Sequence, residues 1–206
     1  MKIKKYVAGA LSTNSYLVYK EGESQAFFID PVRGYEKIKA FCNEQGIKVC
    51  AVLLTHGHFD HILEASLWQK DGAKIYIHTL DADKLYSDKN LAHLVRVSVP
   101  PCTADVLLNG GETLHIAGFS VEVIHTPGHS VGSVCYVLDR VIFSGDTLFK
   151  GDCGRTDFPD GSFQLIKSSI KDKLFGLEGD YRVLPGHGEE TTLDEERQQN
   201  IILNYL

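Results

Sequence analysis

The run Thr55-His56-Gly57-His58-Phe59-Asp60-His61 decides the fold. It leaves the apolar stretch Val52-Leu53-Leu54, so a strand feeds straight into a loop crowded with ligand-type side chains. In extended backbone, alternate residues face the same way, which lets His56 and His58 grip one ion together. Asp60 and His61 stand where the chain turns into a predicted helix over 62–69, within reach of a second ion. Gly57 removes a side chain between the two imidazoles. With residues drawn independently, the chance of this order anywhere in the chain is ~10⁻³, so a solvated polar turn is the weaker account. Imidazole nitrogen and carboxylate oxygen suit zinc, and iron, manganese and nickel are also compatible.

Four ligands are too few for two ions, and three further positions offer the rest. His129 lies in Thr126-Pro127-Gly128-His129-Ser130, after a predicted strand over 121–124. Asp146 lies in Ser144-Gly145-Asp146-Thr147, and His187 in Pro185-Gly186-His187-Gly188. Each marks a strand-to-turn junction beside a glycine. Alone, each would be an ordinary turn residue; the histidine run upstream reverses that weighting.

The two halves of the chain also echo each other. Phe27-Phe28-Ile29-Asp30 and Val141-Ile142-Phe143-Ser144-Gly145-Asp146 are apolar strands ending in Asp. Val52-Leu53-Leu54-Thr55-His56 and Arg182-Val183-Leu184-Pro185-Gly186-His187 are strands ending in His. This pattern predicts a β-sandwich of two similar halves, helices outside, with a polar site along one rim of strand ends.

Further strands are predicted over 6–11, 16–19, 26–29, 49–54, 74–77, 114–116, 134–138, 141–143 and 181–184. One helix face carries Tyr35, Ile38, Phe41 and Cys42 before Gly46, and another carries Phe163, Ile166, Ile170 and Leu174 between Ser162 and Gly176. The capping box Thr192-Leu193-Asp194-Glu195 opens a last helix bearing Ile201, Ile202 and Tyr205. With 206 residues, 43% apolar and 23% charged, the chain reads as a globular protein that folds without staples. A net charge of −6 argues against a general nucleic-acid binder. Five cysteines without a CxxC pair read as reduced thiols in the cytoplasm. No apolar run reaches the ~18 residues of a membrane span.

As an ordered set, HxHxDH, the His of TPGHS, GDTLF and PGHG resemble the metallo-β-lactamase fold superfamily, and within it the glyoxalase II-like hydrolases. The resemblance covers nearly the whole chain. It implies an α+β fold, a four-layer αββα sandwich, as one domain over 1–206. It implies that His56, His58 and His129 bind a first metal ion and Asp60, His61 and His187 a second, with Asp146 bridging both. Asp30 matches the family's strand-end Asp that supports the ligands from behind. The bridging position holds Asp where one antibiotic-hydrolysing branch holds Cys, which counts against β-lactam hydrolysis. Fuller glyoxalase II enzymes append a helical segment that helps hold glutathione. The short stretch after His187 implies that this C-terminal helical substrate-binding domain is missing.

The chemistry implied is hydrolysis by two divalent ions, Zn2+ first and Fe or Mn next, sharing a water whose pKa they lower. The resulting bridging hydroxide attacks the carbonyl of a small-molecule thioester, of the 2-hydroxyacyl-thiol (hydroxyacylglutathione-like) type. Asp60 orients the nucleophile and takes its proton. In Phe149-Lys150-Gly151-Asp152-Cys153-Gly154-Arg155-Thr156-Asp157-Phe158, Lys150 and Arg155 are candidates to hold a substrate carboxylate; alternatively Arg155 pairs with Asp152 or Asp157. That stretch resembles the GCGR loop of glyoxalase II, but its continuation into TDF is shared with persulfide dioxygenases. Those use one iron, here on His56, His129 and Asp146, and are the alternative. Cys153 reads as a packed thiol rather than a nucleophile, and His78, His93, His115 and His125 as structural or surface residues. No nucleic-acid or membrane partner is expected.

Overall fold

The computed structural model describes residues 1–205. Strands β1 (Lys2–Ala8), β2 (Thr13–Tyr19), β3 (Gln25–Ile29), β4 (Lys48–Leu53), β5 (Lys74–His78) and β6 (Val106–Leu108) lie side by side in chain order. The chain continues through β7 (Thr113–Ile116), β8 (Phe119–His125), β9 (Val134–Leu138), β10 (Val141–Gly145), β11 (Leu148–Phe149), β12 (Asp152–Cys153), β13 (Arg182–Pro185) and β14 (Thr191–Thr192). The second sheet runs β14-β13-β10-β9-β8-β7, and β11 pairs with β12. The helices are α1 (Tyr35–Glu44), α2 (Phe59–Ile62), α3 (Ala65–Lys70), α4 (Phe163–Ser168) and α5 (Leu193–Gln199).

Period-two alternation sorts the apolar side chains into three layers. Tyr16, Phe27, Leu53, Tyr136, Phe143 and Leu184 point inward and fill the space between the sheets. Their neighbours Leu17, Phe28 and Val52 point outward and pack with Ile38 of α1 and Trp68 of α3. On the other side, Cys135, Ile142 and Val183 pack with Ile166 of α4, with Ile170 in the π turn that extends it, and with Leu193 of α5. Central strands buried on both faces therefore read as unbroken apolar runs, and the result is the αββα sandwich. Phe143 is 1% exposed and meets Tyr16 edge-on at 5.4 Å. Its truncation to Ala would cost about 3–5 kcal/mol.

The echo between the halves is a topological fact. β3 runs parallel to β4, and β10 runs parallel to β13, each pair joined by a helical crossover. Each half thus delivers a strand-end Asp and a strand-end His at one edge: Asp30 with His56, Asp146 with His187. Backbone pairing of Thr13 with His187, and Asn14 N–H donating to Gly186 C=O at 2.7 Å, tie the two edges together.

Three predicted elements differ. The first strand ends at Ala8, not at Leu11; the chain turns over 9–12, and the polar Thr13, Asn14 and Ser15 open β2 fully buried. They are buried because each is satisfied: Thr13 Oγ1 donates to Asp60 Oδ2 (2.9 Å), Asn14 Nδ2 to Pro185 C=O (2.9 Å) and Ser15 Oγ to Asp30 C=O (2.6 Å). The helix over 62–69 is two short helices, α2 and α3, broken at Glu64, whose carboxylate accepts the Tyr35 N–H at 2.9 Å. The last helix starts on its capping box, with Thr192 Oγ1 accepting Glu195 N–H at 3.2 Å, but stops at Gln199. Extended Asn200 donates to the carbonyls of Phe149 (3.3 Å) and Asp152 (3.0 Å), and a 3-10 turn follows over Ile201–Tyr205. Between β5 and β6 lie three 3-10 turns, Thr79–Leu85, Asp88–Asn90 and Ala92–Val95, which carry no clear periodicity. Among the described residues, no helix is long and apolar enough to cross a membrane.

Candidate metal centre

The loops after β4, β8, β10 and β13 bring seven side chains to one rim. His56, His58 and His129 offer ligand atoms to one point, and Asp60, His61 and His187 to a second; His56, His61 and Asp146 form a set between them. His58 Nδ1 lies 2.9 Å from His129 Nε2. Asp60 Oδ2 lies 3.2 Å from His187 Nε2 and 3.5 Å from His61 Nε2. Asp146 faces both sides: Oδ2 is 3.5 Å from His129 Nε2 and 3.5 Å from His187 Nε2, and Oδ1 is 3.3 Å from His61 Nε2. Tetrahedral zinc with ordinary bond lengths spaces its ligand atoms by about 3.4 Å, so these separations fit metal ions. Burial supports the same conclusion. His56 Nε2, His61 Nε2 and Asp146 Oδ1 are buried with no hydrogen-bond partner. An orphaned buried polar atom costs about 1–3 kcal/mol, and several converging on one space fit a cation.

The imidazoles are held in the orientation that frees those atoms. Nδ1–H of His61 donates to Asp30 Oδ2 (2.9 Å), that of His129 to Arg155 C=O (2.8 Å) and that of His187 to Leu11 C=O (3.0 Å). His56 Nδ1 lies 3.1 Å from Thr55 Oγ1, which itself donates to Asp30 Oδ2 at 2.7 Å, so His56 is the donor. Asp30 also accepts Thr55 N–H at 2.8 Å. It therefore steers two rings, His61 directly and His56 through Thr55, which fixes tautomer and aim.

Charge in the cluster follows from burial and neighbours. Burial, then the charges of His61, His58 and His129, hold His56 well below its usual pKa; burial and His129 push His58 down to about 3. Both are neutral and ready to ligate. Burial opposes protonation of His61, but Asp146, Asp60 and Asp30 overcome it and raise His61 well above its usual range. Burial likewise opposes protonation of His187, yet its hydrogen bonds to Asp146 and Asp60 raise it to about 9. Burial would raise Asp146, but His61 and His187 hold it well below the carboxylate range. Burial works against ionised Asp60 as well, but His61 and the hydrogen bond from His187 hold it below its usual value. Two ionised carboxylates thus demand cationic partners, which protons supply when metal does not.

Asp81 carries no signal in the sequence, yet it sets the spacing between the two loops that carry the first triad. Its fully buried carboxylate accepts Gly57 N–H (2.8 Å), Ser130 Oγ (2.8 Å) and Gly132 N–H (2.9 Å), and pairs with buried Lys84 Nζ at 3.0 Å. Lys84 in turn reaches Asp160 at 2.6 Å. Within Thr79-Leu80-Asp81-Ala82-Asp83-Lys84 nothing separates this carboxylate from a solvated one. Gly57 is also needed for a reason other than imidazole crowding. A Cβ there would stand 2.6 Å from Lys84 Cβ and 3.0 Å from the Asp81 carbonyl oxygen.

Above the rim opens a cleft of about 620 Å³, lined by His58, Asp60, His129, Asp146 and His187 at its base. The candidate substrate-binding cations are otherwise engaged. Lys150 donates to Glu189 at 3.1 Å and does not line the cleft. Arg155 lines it but forks onto Asp157, with both bonds at 2.6 Å, the pairing that was the alternative account of this residue. Cys153 also lines the cleft, and burial pushes its thiol up to about 11, so it is no nucleophile at neutral pH. Of the other histidines, His78 stacks on His125 at 4.1 Å, while His93 and His115 are exposed.

Comparison with known proteins extends the same picture. The chain is 35% identical over 211 residues to the "Hydroxyacylglutathione hydrolase GloC" of Haemophilus influenzae, covering 99% of each. It is 35% identical over 211 residues to the "Probable metallo-hydrolase YqgX" of Bacillus subtilis, covering 99% of this chain and 98% of that one. Among solved structures, the BLEG-1 B3 metallo-beta-lactamase matches with TM-score 0.91 at 33% identity, covering 98% of this chain and 99% of the other. TTHA1623 in a di-iron-bound form matches with TM-score 0.85 at 34% identity, covering 96% and 98%. ETHE1 from Myxococcus xanthus matches with TM-score 0.83 at 28% identity, covering 98% and 84%. The metallo-beta-lactamase superfamily pattern itself matches residues 8–187. That span takes in the whole converging cluster from His56 to His187, and the chain belongs to the metallo-beta-lactamase superfamily.

Proposed function

We propose that the chain is a dinuclear metal-dependent hydrolase that cleaves a thioester, with 2-hydroxyacyl thioesters as the reference class. The observation that carries this is the pair of ligand triads joined by one carboxylate, Asp146. His56, His58 and His129 would hold one ion and Asp60, His61 and His187 the other, with Asp146 shared. The relative described as a hydroxyacylglutathione hydrolase supports the substrate class. When bound, the ions supply a water activated at neutral pH and a Lewis acid for the carbonyl.

The chain's own residues supply the rest. Asp60 lines the cleft, is fixed by the Thr13 hydroxyl at 2.9 Å, and accepts the proton released as the nucleophile attacks. Asp30 holds His61 and, through Thr55, His56, so the ligands need no reorganisation during the reaction. A leaving thiolate of pKa ~8.5 needs little protonation, which suits a thioester to this site. Five unpaired thiols fit a reducing compartment, and we place the enzyme in the cytoplasm.

The loop continuation Thr156-Asp157-Phe158 motivates the second reading, one iron on His56, His129 and Asp146 oxidising a thiol persulfide, whereas the di-iron form of TTHA1623 matches the two-ion reading. The test is metal content of protein purified without added metal, with three assays. Two ions per chain and thioester turnover support the proposal. One iron with oxygen consumption on a persulfide supports the second reading. Opening of a β-lactam ring would instead align the chain with BLEG-1. Asp146→Ala is expected to lose both bound metal and turnover; near-normal activity would refute the two-ion site.

A further inference from the structure

Much of the cleft wall away from the ligands is apolar, and that part comes from three separate parts of the chain. Leu11 precedes β2, Leu91, Leu94 and Val95 lie in the 3-10 segment before β6, and Phe149 and Phe158 follow β10. Leu94 is 61% exposed, Val95 47% and Leu11 49%, a concentration of large bare apolar side chains beside one cleft. Clustered apolar groups left uncovered beside a cleft suit an apolar ligand. Phe158 also stands edge-on to His58 at 5.1 Å, so the apolar wall reaches the ligands themselves.

Charge points the same way. Beyond the ligands, the lining holds one cation, Arg155, and one carboxylate, Asp152. Arg155 is already forked by Asp157, and its guanidinium lies 4.4 Å from the Phe158 ring centroid. Among the described residues of the cleft, no unpaired cation awaits the carboxylates of a peptide thiol.

We propose that the acyl arm of the substrate is an uncharged alkyl or aryl chain lying against Leu94, Val95 and Phe158, carried on a small neutral thiol. The proposal rests on the thioester reading and narrows it. The chemistry is simple hydrolysis: the C–S bond breaks, a C–O bond forms from water, and the thiolate takes the remaining proton. The volume of about 620 Å³ lies in the usual range for small-molecule sites and leaves room for such a chain.

Two measurements on metal-loaded protein test this. The first is kcat/KM for N-acetylcysteamine thioesters of acetate, butanoate, hexanoate and octanoate, with S-lactoylglutathione alongside. The expected result is a rise with chain length approaching about fourfold per methylene, the full value for burial, and octanoyl turnover above that of the glutathione ester. The second is calorimetric affinity for butanoate, hexanoate and octanoate, which requires no turnover; the same rise is expected. Leu94→Ser/Val95→Ser should flatten both series, and its melting temperature shows that it folds. A flat series, or a glutathione ester hydrolysed tenfold better than the octanoyl ester, overturns the proposal. Rising carboxylate affinity with no thioester cleaved would refute thioester hydrolysis and leave the apolar subsite standing. Turnover with flat series would do the reverse.

Discussion

Asp81→Ala probes whether one carboxylate holds the two histidine loops in register. In the native protein Asp81 is 0% exposed and Lys84 2%. The substitution leaves Lys84 with Asp160 alone and removes the acceptor of Gly57 N–H, Ser130 Oγ and Gly132 N–H. Removing one partner of a buried ion pair costs about 3–5 kcal/mol. The retained Asp160 contact favours the lower end, and the orphaned amides add to it without being additive. A loss of about 3–4 kcal/mol in a chain of this length lowers the melting temperature by roughly 10 °C. Asp81→Asn keeps an acceptor but not the charge, so about half that shift is expected. Melting is measured in chelator, which removes the contribution of metal binding.

The second readout is metal affinity by chelator competition. Gly57 sits between His56 and His58, and Ser130 follows His129, so release of both loops should weaken binding by about 10–100-fold. A variant that melts within 2 °C of the native protein and binds metal normally would refute the clamp, on the scale set by a ΔΔG of roughly 1 kcal/mol. A lower melting temperature with unchanged affinity would show that Asp81 stabilises the fold without placing the ligands.

Gly186→Ala should be as damaging to metal binding as loss of a ligand. A Cβ there would lie 2.2 Å from Asp146 Oδ1 and 2.7 Å from His61 Cε1, and titration with zinc should show at most one ion retained. Cys153, raised from 9.0 to about 11, has about a hundredth of the thiolate of an ordinary thiol at pH 7; higher intrinsic nucleophilicity recovers part of that. Its alkylation by iodoacetamide should therefore run about tenfold slower than that of a free thiol and accelerate up to pH ~11, and fast labelling at pH 7 would contradict the buried environment. Arg155→Ala removes an exposed pair with Asp157, so the melting temperature should not move. The same variant should raise KM for S-lactoylglutathione less than twofold; a tenfold rise would restore Arg155 as a carboxylate anchor.

The cluster that converges at the rim was legible because its chemistry is dense in a short stretch. Three histidines and an aspartate within His56–His61 have few other uses, and strand-end Asp and His recur in both halves. The layers were legible because alternation along 16–19, 26–29 and 49–54 fills both faces of a strand with apolar side chains. What was not legible depends on partners distant in sequence. Thr13, Asn14 and Ser15 look like a polar turn, and only the loops at Asp60, Pro185 and Asp30 make their burial affordable. Asp81 looks solvated until Gly57, Ser130 and Gly132 are folded onto it.

The same limit explains why motif chemistry outran substrate. The ligands are read from local pattern, whereas the cleft wall is built by Leu91, Leu94 and Val95 in a segment without periodicity. Arg155 has the chemistry of a carboxylate anchor in sequence, yet its nearest anion is two residues away in its own loop. An incoming carboxylate must displace Asp157, a partner already tethered beside the guanidinium. A tethered partner has an effective concentration of about millimolar or more, so a dissolved anion competes poorly. On the proposed thioester reading, discrimination in this cleft is therefore expected to follow apolar area more than charge, and the acyl series measures that directly.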